Sequence, residues 1–207
     1  MQNRFRMHTK KGITLVETIM AIAVLVAGMT VFTLLFIRSW EMHEFAFDEA
    51  NAQLAASHAM QRMTDLVRNA QRADNGAFPL VSVADDEIVF YGNTDGDGDV
   101  ERIRLALSGT SIVLESRDPT DDVPPTYPSG YDSSQTIVAH LVDTDTNPVF
   151  TFYDDANAEL TGSFPLNDVK MVKIDISVDE DPTQAPDAVV IESFASIRNL
   201  NEHDSAT

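Results

Sequence analysis

The chain contains no cysteine among its 207 residues, which excludes disulfide bonds, thiol nucleophiles and cysteine-ligated metal centres. Basic residues are also scarce, because 14 Lys and Arg stand against 33 Asp and Glu and leave a formal net charge of −19. All of the acidic residues follow Ile13, whereas four basic residues precede it: Arg4, Arg6, Lys10 and Lys11. A region this acidic repels nucleic acid and anionic lipid, so we expect no direct nucleic-acid partner.

The sequence also lacks the common catalytic motifs. It has no Gly-x-Ser-x-Gly, no phosphate-binding glycine loop and no His-Glu-x-x-His. Its five histidines are scattered, and His140 falls in a predicted strand over 136–142, where a structural or surface role is expected. These absences predict a protein that is not an enzyme and that has no organic cofactor.

One long apolar run is present, from Ile13 to Ile37, with Glu17 as its only formal charge. At about 1.5 Å per residue its 25 residues can cross the ~30 Å hydrocarbon core of a bilayer. The run exceeds the ~7–15 apolar residues of a secretory signal peptide. Four basic residues before the run, against Arg38 alone just after it, predict a single-pass membrane protein with a cytoplasmic N-terminus.

The residues Lys10-Lys11-Gly12-Ile13-Thr14-Leu15-Val16-Glu17 resemble the leader junction of type IV pilins and type II secretion pseudopilins. The resemblance covers residues 1–37. It implies a leader peptide over 1–12, cleavage after Gly12 by a prepilin peptidase that also methylates the new N-terminus at Ile13, and assembly directed by Glu17. It departs from the family at Ile13, where Phe is usual, and in lacking the proline that many pilins carry in this helix.

That resemblance implies a minor pilin or pseudopilin, a structural subunit of a type IV pilus or a secretion pseudopilus. Its partners would be other pilin or pseudopilin subunits, the prepilin peptidase, the inner-membrane assembly machinery and membrane lipid. The subunit would lie in the inner membrane before assembly and in a periplasmic or cell-surface filament afterwards. The alternative is an uncleaved single-pass membrane protein with an extracytoplasmic, acidic, β-rich binding domain.

Glu17 needs a physical explanation under either interpretation, because a carboxylate in a membrane helix is costly unless it is paired or lies near an interface. Cleavage would create a positive amine at Ile13, four residues from Glu17 and on the same helix face. Glu17 could then pair within its own chain or with the amine of a neighbouring subunit. We expect the intermolecular role, with a tolerated interfacial glutamate as the alternative.

Beyond the apolar run, the pattern predicts that the helix continues to Arg72. Residues 29–75 contain neither proline nor glycine, and an apolar stripe recurs at helical spacing. The stripe comprises Met42, Phe45, Ala52, Ala56, Ala59, Met63, Leu66 and Ala70, interrupted by Glu49. We assign residues 13–37 to a transmembrane or filament-core helix and 38–73 to an amphipathic helix that packs on a sheet.

After Pro79 the period changes to two, which predicts a β-rich domain over 74–198 and a flexible tail over 199–207. The expected fold class is therefore α+β, with a long N-terminal helix packed on a C-terminal antiparallel sheet. The resemblance to pilins implies in addition that this fold is pilin-like. A proline-bearing loop over 118–134 and an acidic connection over 179–187 interrupt the strands. The predicted strands are Glu87–Tyr91, Glu101–Leu107, Ser111–Ser116, Thr136–Val142, Val149–Tyr153, Val169–Val178 and Ala188–Ile197.

An acidic loop between the first two of these strands is the one candidate ion site. Its carboxylates belong to Asp95, Asp97, Asp99 and Glu101, and oxygen clusters of this kind suit Ca²⁺. Counted from Asp95, however, Val100 and Ala106 stand where a calcium-binding EF-hand loop has Gly and Glu. Because Asp-Gly also favours tight turns, a hairpin loop without an ion is the competing interpretation.

Overall fold

A computed structural model of the chain describes residues 12–179 and 188–198, without side-chain detail at 41–49 and 51–52. The chain divides into two compact units, residues 1–47 and 48–207. The predicted leader falls almost entirely outside the described residues, as does the predicted tail. The fold is α+β, with one long helix, α1 (Leu15–Arg68), followed by antiparallel sheets.

The first unit contains a helical segment, Leu15–Trp40, that is long and apolar enough by length and composition to span a membrane. Its apolar side chains are exposed on every side in the isolated chain. The hydroxyl groups of Thr18, Thr30 and Thr33 donate to the carbonyl oxygens four residues earlier, at 3.2, 2.9 and 2.9 Å. Such internal bonds leave these hydroxyls satisfied in a medium that offers no water.

In the second unit, the C-terminal part of α1 packs against both sheets. The buried residues of this part are Ala56, Ala59, Met60, Met63, Thr64 and Val67, and Ala70 just after the helix is buried too, which confirms the predicted stripe at Ala56, Ala59, Met63 and Ala70. The stripe omitted Met60 and Val67, which are buried, and included Leu66, which is only partly buried. The side chains of Met42, Phe45, Glu49 and Ala52 lie outside those described.

The helix ends at Arg68, four residues before the predicted end at Arg72. The amide of Ala70 donates to Val67 O, which tightens the last turn, and the amide of Gln71 then donates to Tyr91 O at 2.9 Å. A sheet carbonyl therefore takes the place of a helical acceptor. The sequence pattern could not anticipate this tertiary bond.

Within the described residues, eight strands form two antiparallel sheets, whereas the sequence predicts a single sheet. The larger sheet has the order β1-β2-β3-β4-β5 and the smaller β6-β7-β8. A short 3-10 helix, Leu166–Asp168, precedes β7. The strand bounds are β1 Leu80–Ala84, β2 Glu87–Gly92, β3 Glu101–Ser108, β4 Ser111–Arg117, β5 Ser133–Val138, β6 Phe150–Tyr153, β7 Met171–Val178 and β8 Val189–Ser196.

All seven predicted strands are present, and six of them agree with the structure to within two residues at each end. The exception is Thr136–Val142, because β5 ends at Val138 and His140 adopts a positive φ of 60° that no regular strand allows. His140 is therefore an exposed loop residue. Strand β1 was missed. The strands flanking the 179–187 connection pair with each other, Val178 with Val189, although residues 180–187 lie outside the described chain.

The proline-bearing loop, residues 118–132, is held against the larger sheet by Arg102. The Arg102 guanidinium donates from Nη2 to Pro128 O and Gly130 O, both at 2.8 Å, and from Nη1 to Tyr127 O at 3.3 Å. The Tyr127 ring lies 4.8 Å from that of Tyr91, centroid to centroid. Tyr91 is consequently buried although it lies on the opposite side of β2 from Phe90, which contributes to the main core.

Candidate functional site

The first candidate site is the junction where α1 begins. Gly12, Ile13 and Thr14 precede the helix in non-helical backbone, and Ile13 is 77% exposed. A Cβ atom added at Gly12 would meet no other atom of the described residues within 4 Å, and the Gly12 φ is not in the left-handed region. Neither crowding nor backbone strain therefore accounts for a glycine at this position.

Thr14 is the N-cap residue of α1. Its hydroxyl oxygen accepts a hydrogen bond from the amide of Glu17 at 3.3 Å, and its carbonyl accepts from the amide of Thr18 at 3.1 Å. A threonine at N-cap and a glutamate three residues later form the pattern called a capping box. The negative charge of Glu17 in the first turn also complements the helix dipole.

Glu17 itself is exposed, as are its apolar neighbours Val16 and Met20, at 65% each. Its side chain is therefore free to meet lipid headgroups, water or another protein chain. The structure brings Gly12, Ile13 and Glu17 into one short stretch, as the sequence places them. The Thr14 cap was not identified from the sequence, although the Thr-x-x-Glu spacing was a signal that could have revealed it.

The second candidate site is the acidic loop between β2 and β3. Asp95, Asp97 and Glu101 offer carboxylate oxygens that all lie within 4.8 Å of one another, while Asp99 is not part of this group. Three of the four predicted ligands are thus brought together. No other group of three or more such side chains was found within the described ranges.

Each of these three carboxylates accepts a hydrogen bond from a backbone amide. Asp95 Oδ1 accepts from the amide of Asp97 at 3.1 Å, and Asp97 Oδ1 accepts from the amide of Asp99 at 2.9 Å. Glu101 Oε2 accepts from the amide of Thr94 at 2.8 Å. These bonds are those expected of aspartates in tight turns, so they explain the cluster as hairpin structure without an ion.

Glu101 differs from its neighbours because it is only 2% exposed. Burial raises the pKa of its carboxyl above the ordinary value of 4.5, opposed in part by the Thr94 hydrogen bonds and assisted by the nearby charge of Asp95. Glu101 lies on the same face of β3 as Ile103 and Leu105, which are both fully buried. The alternation of side chains along the strand was therefore a signal that could have revealed the burial of Glu101.

Asp74 and Tyr127 anchor the end of this loop. The Asp74 Oδ2 atom accepts from the amide of Val100 at 3.0 Å, and the Tyr127 hydroxyl donates to Val100 O at 2.6 Å. The same hydroxyl accepts from the amide of Asp74 at 3.3 Å. The loop is therefore tied both to the segment after α1 and to the loop over 118–132.

Comparison with known proteins adds no assignment, since no protein-family model and no curated protein matches the chain.

Proposed function

We propose that this chain is a structural subunit of a type IV pilus or a secretion pseudopilus, processed after Gly12. In this account the segment Leu15–Trp40 first spans the inner membrane and then packs in the filament core. The observation that carries the proposal is the exposed Glu17 carboxylate in the first turn of α1, at the start of a segment, Leu15–Trp40, whose exposed side chains are mostly apolar.

The cost of that carboxylate supports an intermolecular role. An unpaired charge is unfavourable in a low-dielectric environment, and a neighbouring cation relieves the cost. Cleavage after Gly12 would supply a cation as the new α-amine of Ile13, next to the Thr14 cap. A neighbouring subunit shifted along the filament axis could then place its Ile13 amine against Glu17, and this pairing would fix the axial stagger.

Gly12 gives a second line of support. Because the fold itself offers no steric or conformational reason for glycine at this position, a requirement outside the folded chain is favoured. A peptidase that must draw the backbone into a narrow active site would impose such a requirement. The leader has four basic residues, whereas residues 13–37 have none. This difference would hold the N-terminus on the cytoplasmic side.

Co-expression with a prepilin peptidase tests this function. We expect the full chain to lose residues 1–12, and the Gly12→Leu variant to remain intact in the same cells. An uncut wild-type chain, alongside complete cleavage of a control prepilin, would instead favour the uncleaved single-pass membrane protein.

A further inference from the structure

We propose that the free edge of strand β1 binds an extended, basic segment of another protein, which would add a sixth strand to the larger sheet. Such β-strand addition uses main-chain hydrogen bonds for affinity and side-chain pockets for specificity. The inference is independent of how the N-terminus is processed. It depends on the strand edges of the second unit, a groove beside β1 and the charge of that groove.

Within the described residues, β1, β5, β6 and β8 are the edge strands. The edge of β6 is covered by the segment after it, since the amide of Leu160 donates to Phe152 O at 2.8 Å. The edge of β8 is met by Arg68, whose Nη2 donates to Phe194 O at 3.4 Å. The edge of β5 is short of apolar side chains, with an exposed polar run over 133–136.

The outer edge of β1 instead opens onto a groove of about 620 Å³. Residues 81–85 form one wall, and β6 together with residues between 159 and 166 forms the other. The amide of Phe150 donates to Asp85 O at 3.0 Å and closes one end, where β1 and β6 meet. The volume lies within the range of about 300–1,000 Å³ that is typical of binding pockets.

The side chains of β1 suit a strand that pairs further. Its sequence, Leu-Val-Ser-Val-Ala, has no charge and no proline, which are two of the devices that protect an exposed edge. Val81 is 40% exposed, and Ser82 and Ala84 are also exposed. A register shift between Leu80 and Ser82 limits the regular part of the strand, so we expect a short segment of about four or five residues at ~3.4 Å each.

The charge of the groove identifies the kind of partner. Asp85 and Glu159 line it, and among the described residues no lysine or arginine does. A segment with Lys or Arg flanking small apolar residues would complement these carboxylates. A second copy of this chain is a poor occupant, because its net charge of −19 would bring like charges together.

Residues 48–207 can be used for the test, since this unit contains every buried residue of the described chain, from Ala56 onward. The probe is the capped hexapeptide Lys-Val-Thr-Val-Thr-Lys, titrated into the 15N-labelled unit at 0.15 M salt. We expect saturable chemical-shift changes and slowed hydrogen exchange at the amides of residues 81–84.

Two matched peptides and two variants separate strand addition from general attraction to an acidic protein. The same peptide N-methylated at alternate residues, and the version with Glu in place of Lys, should each bind at least tenfold more weakly. Val81→Lys should weaken binding at least tenfold, whereas Val190→Lys, at a 67% exposed position on β8, should not. Equal binding of the N-methylated peptide, or shifts centred on residues 95–101 instead of 81–84, would overturn the proposal.

Discussion

The amide of Glu17 donates to the hydroxyl of Thr14, 3.3 Å away, and this contact caps helix α1, which begins at Leu15, two residues after the proposed new N-terminus, Ile13. Under the proposed function, the Glu17 side chain has two separable roles. One is local, as the acidic residue of a capping box near the positive end of the helix dipole. The other is the proposed intermolecular role, as the partner of an Ile13 amine on a neighbouring subunit.

Substitution of Glu17 separates these roles in the native host. Glu17→Gln retains a side chain that can serve a capping box but removes the charge, whereas Glu17→Ala removes both. We expect both variants to insert in the membrane. The amount of each variant in the sheared filament fraction should be at least tenfold below that of wild type, which corresponds to about 1.4 kcal/mol of assembly free energy. Normal incorporation of Glu17→Gln, with loss for Glu17→Ala, would assign Glu17 to the cap alone.

Arg102 should control the order of the loop over 118–132. Hydrogen bonds from a charged group contribute about 1.5–3 kcal/mol when partners would otherwise be left unsatisfied, so we expect Arg102→Ala to cost about 1–3 kcal/mol in urea unfolding. Hydrogen exchange at residues 126–132 should accelerate in the same variant. Arg62→Ala, which loses only an exposed bond to Gln135, is the matched control and should cost below about 0.5 kcal/mol. Equal effects of the two substitutions would show that Arg102 does not hold the loop.

The core beneath α1 is tested by Met63 and Leu54, two apolar residues of the same helix. Met63 is fully buried, and we expect Met63→Ala to lower the free energy of unfolding of residues 48–207 by about 2–5 kcal/mol. Leu54 is 58% exposed, so Leu54→Ala should change it by less than about 0.5 kcal/mol. A larger loss at Leu54 than at Met63 would mean that α1 packs on the sheets through a different face.

Glu101 should make stability depend on pH. Because its folded-state pKa lies above 4.5, the folded protein holds this proton more tightly than the unfolded chain does. The stabilisation of the folded state by the protonated Glu101 carboxyl is therefore fully present below pH 4.5. It is lost as pH rises through the higher folded-state pKa. We expect the Tm advantage of Glu101→Gln over wild type, measured in chelator, to grow as pH rises from about 4.5 to 7. A difference that is constant over that range would contradict the assignment of a raised pKa.

The same pair of proteins decides between the two interpretations of the acidic loop. Because Asp95, Asp97 and Glu101 each accept a backbone amide hydrogen bond that holds the turn together without an ion, we expect the wild-type Tm to be the same in EDTA and in millimolar calcium. A calcium-dependent rise in the Tm of wild type, absent in Glu101→Gln, would show that the loop binds the ion.

Local patterns predicted much of the fold. The alternation from Arg102 to Leu105 marked β3 because one side of that strand faces the core. Strand β1 was not predicted, because at the edge of the sheet Ser82 and Ala84 are exposed although they stand two and four residues after the buried Leu80. The strand therefore lacks the regular alternation of apolar and polar residues. The early end of α1 and the end of β5 before His140 depend on a long-range bond and a local backbone reversal, which periodicity does not report.

The sites were predictable to different degrees. Gly12, Ile13 and Glu17 are adjacent in sequence, so spacing alone brought them together. The grouping of Asp95 and Asp97 with Glu101 instead of Asp99 depends on how the loop folds. The groove beside β1 joins residues about 80 positions apart and needed the arrangement of two sheets.

The N-terminal mass of the protein isolated from its native host tests the central claim most directly. The account predicts a chain that begins at Ile13 and carries a methyl group on its amine. An intact Met1, or a chain that begins at any other residue, would contradict it.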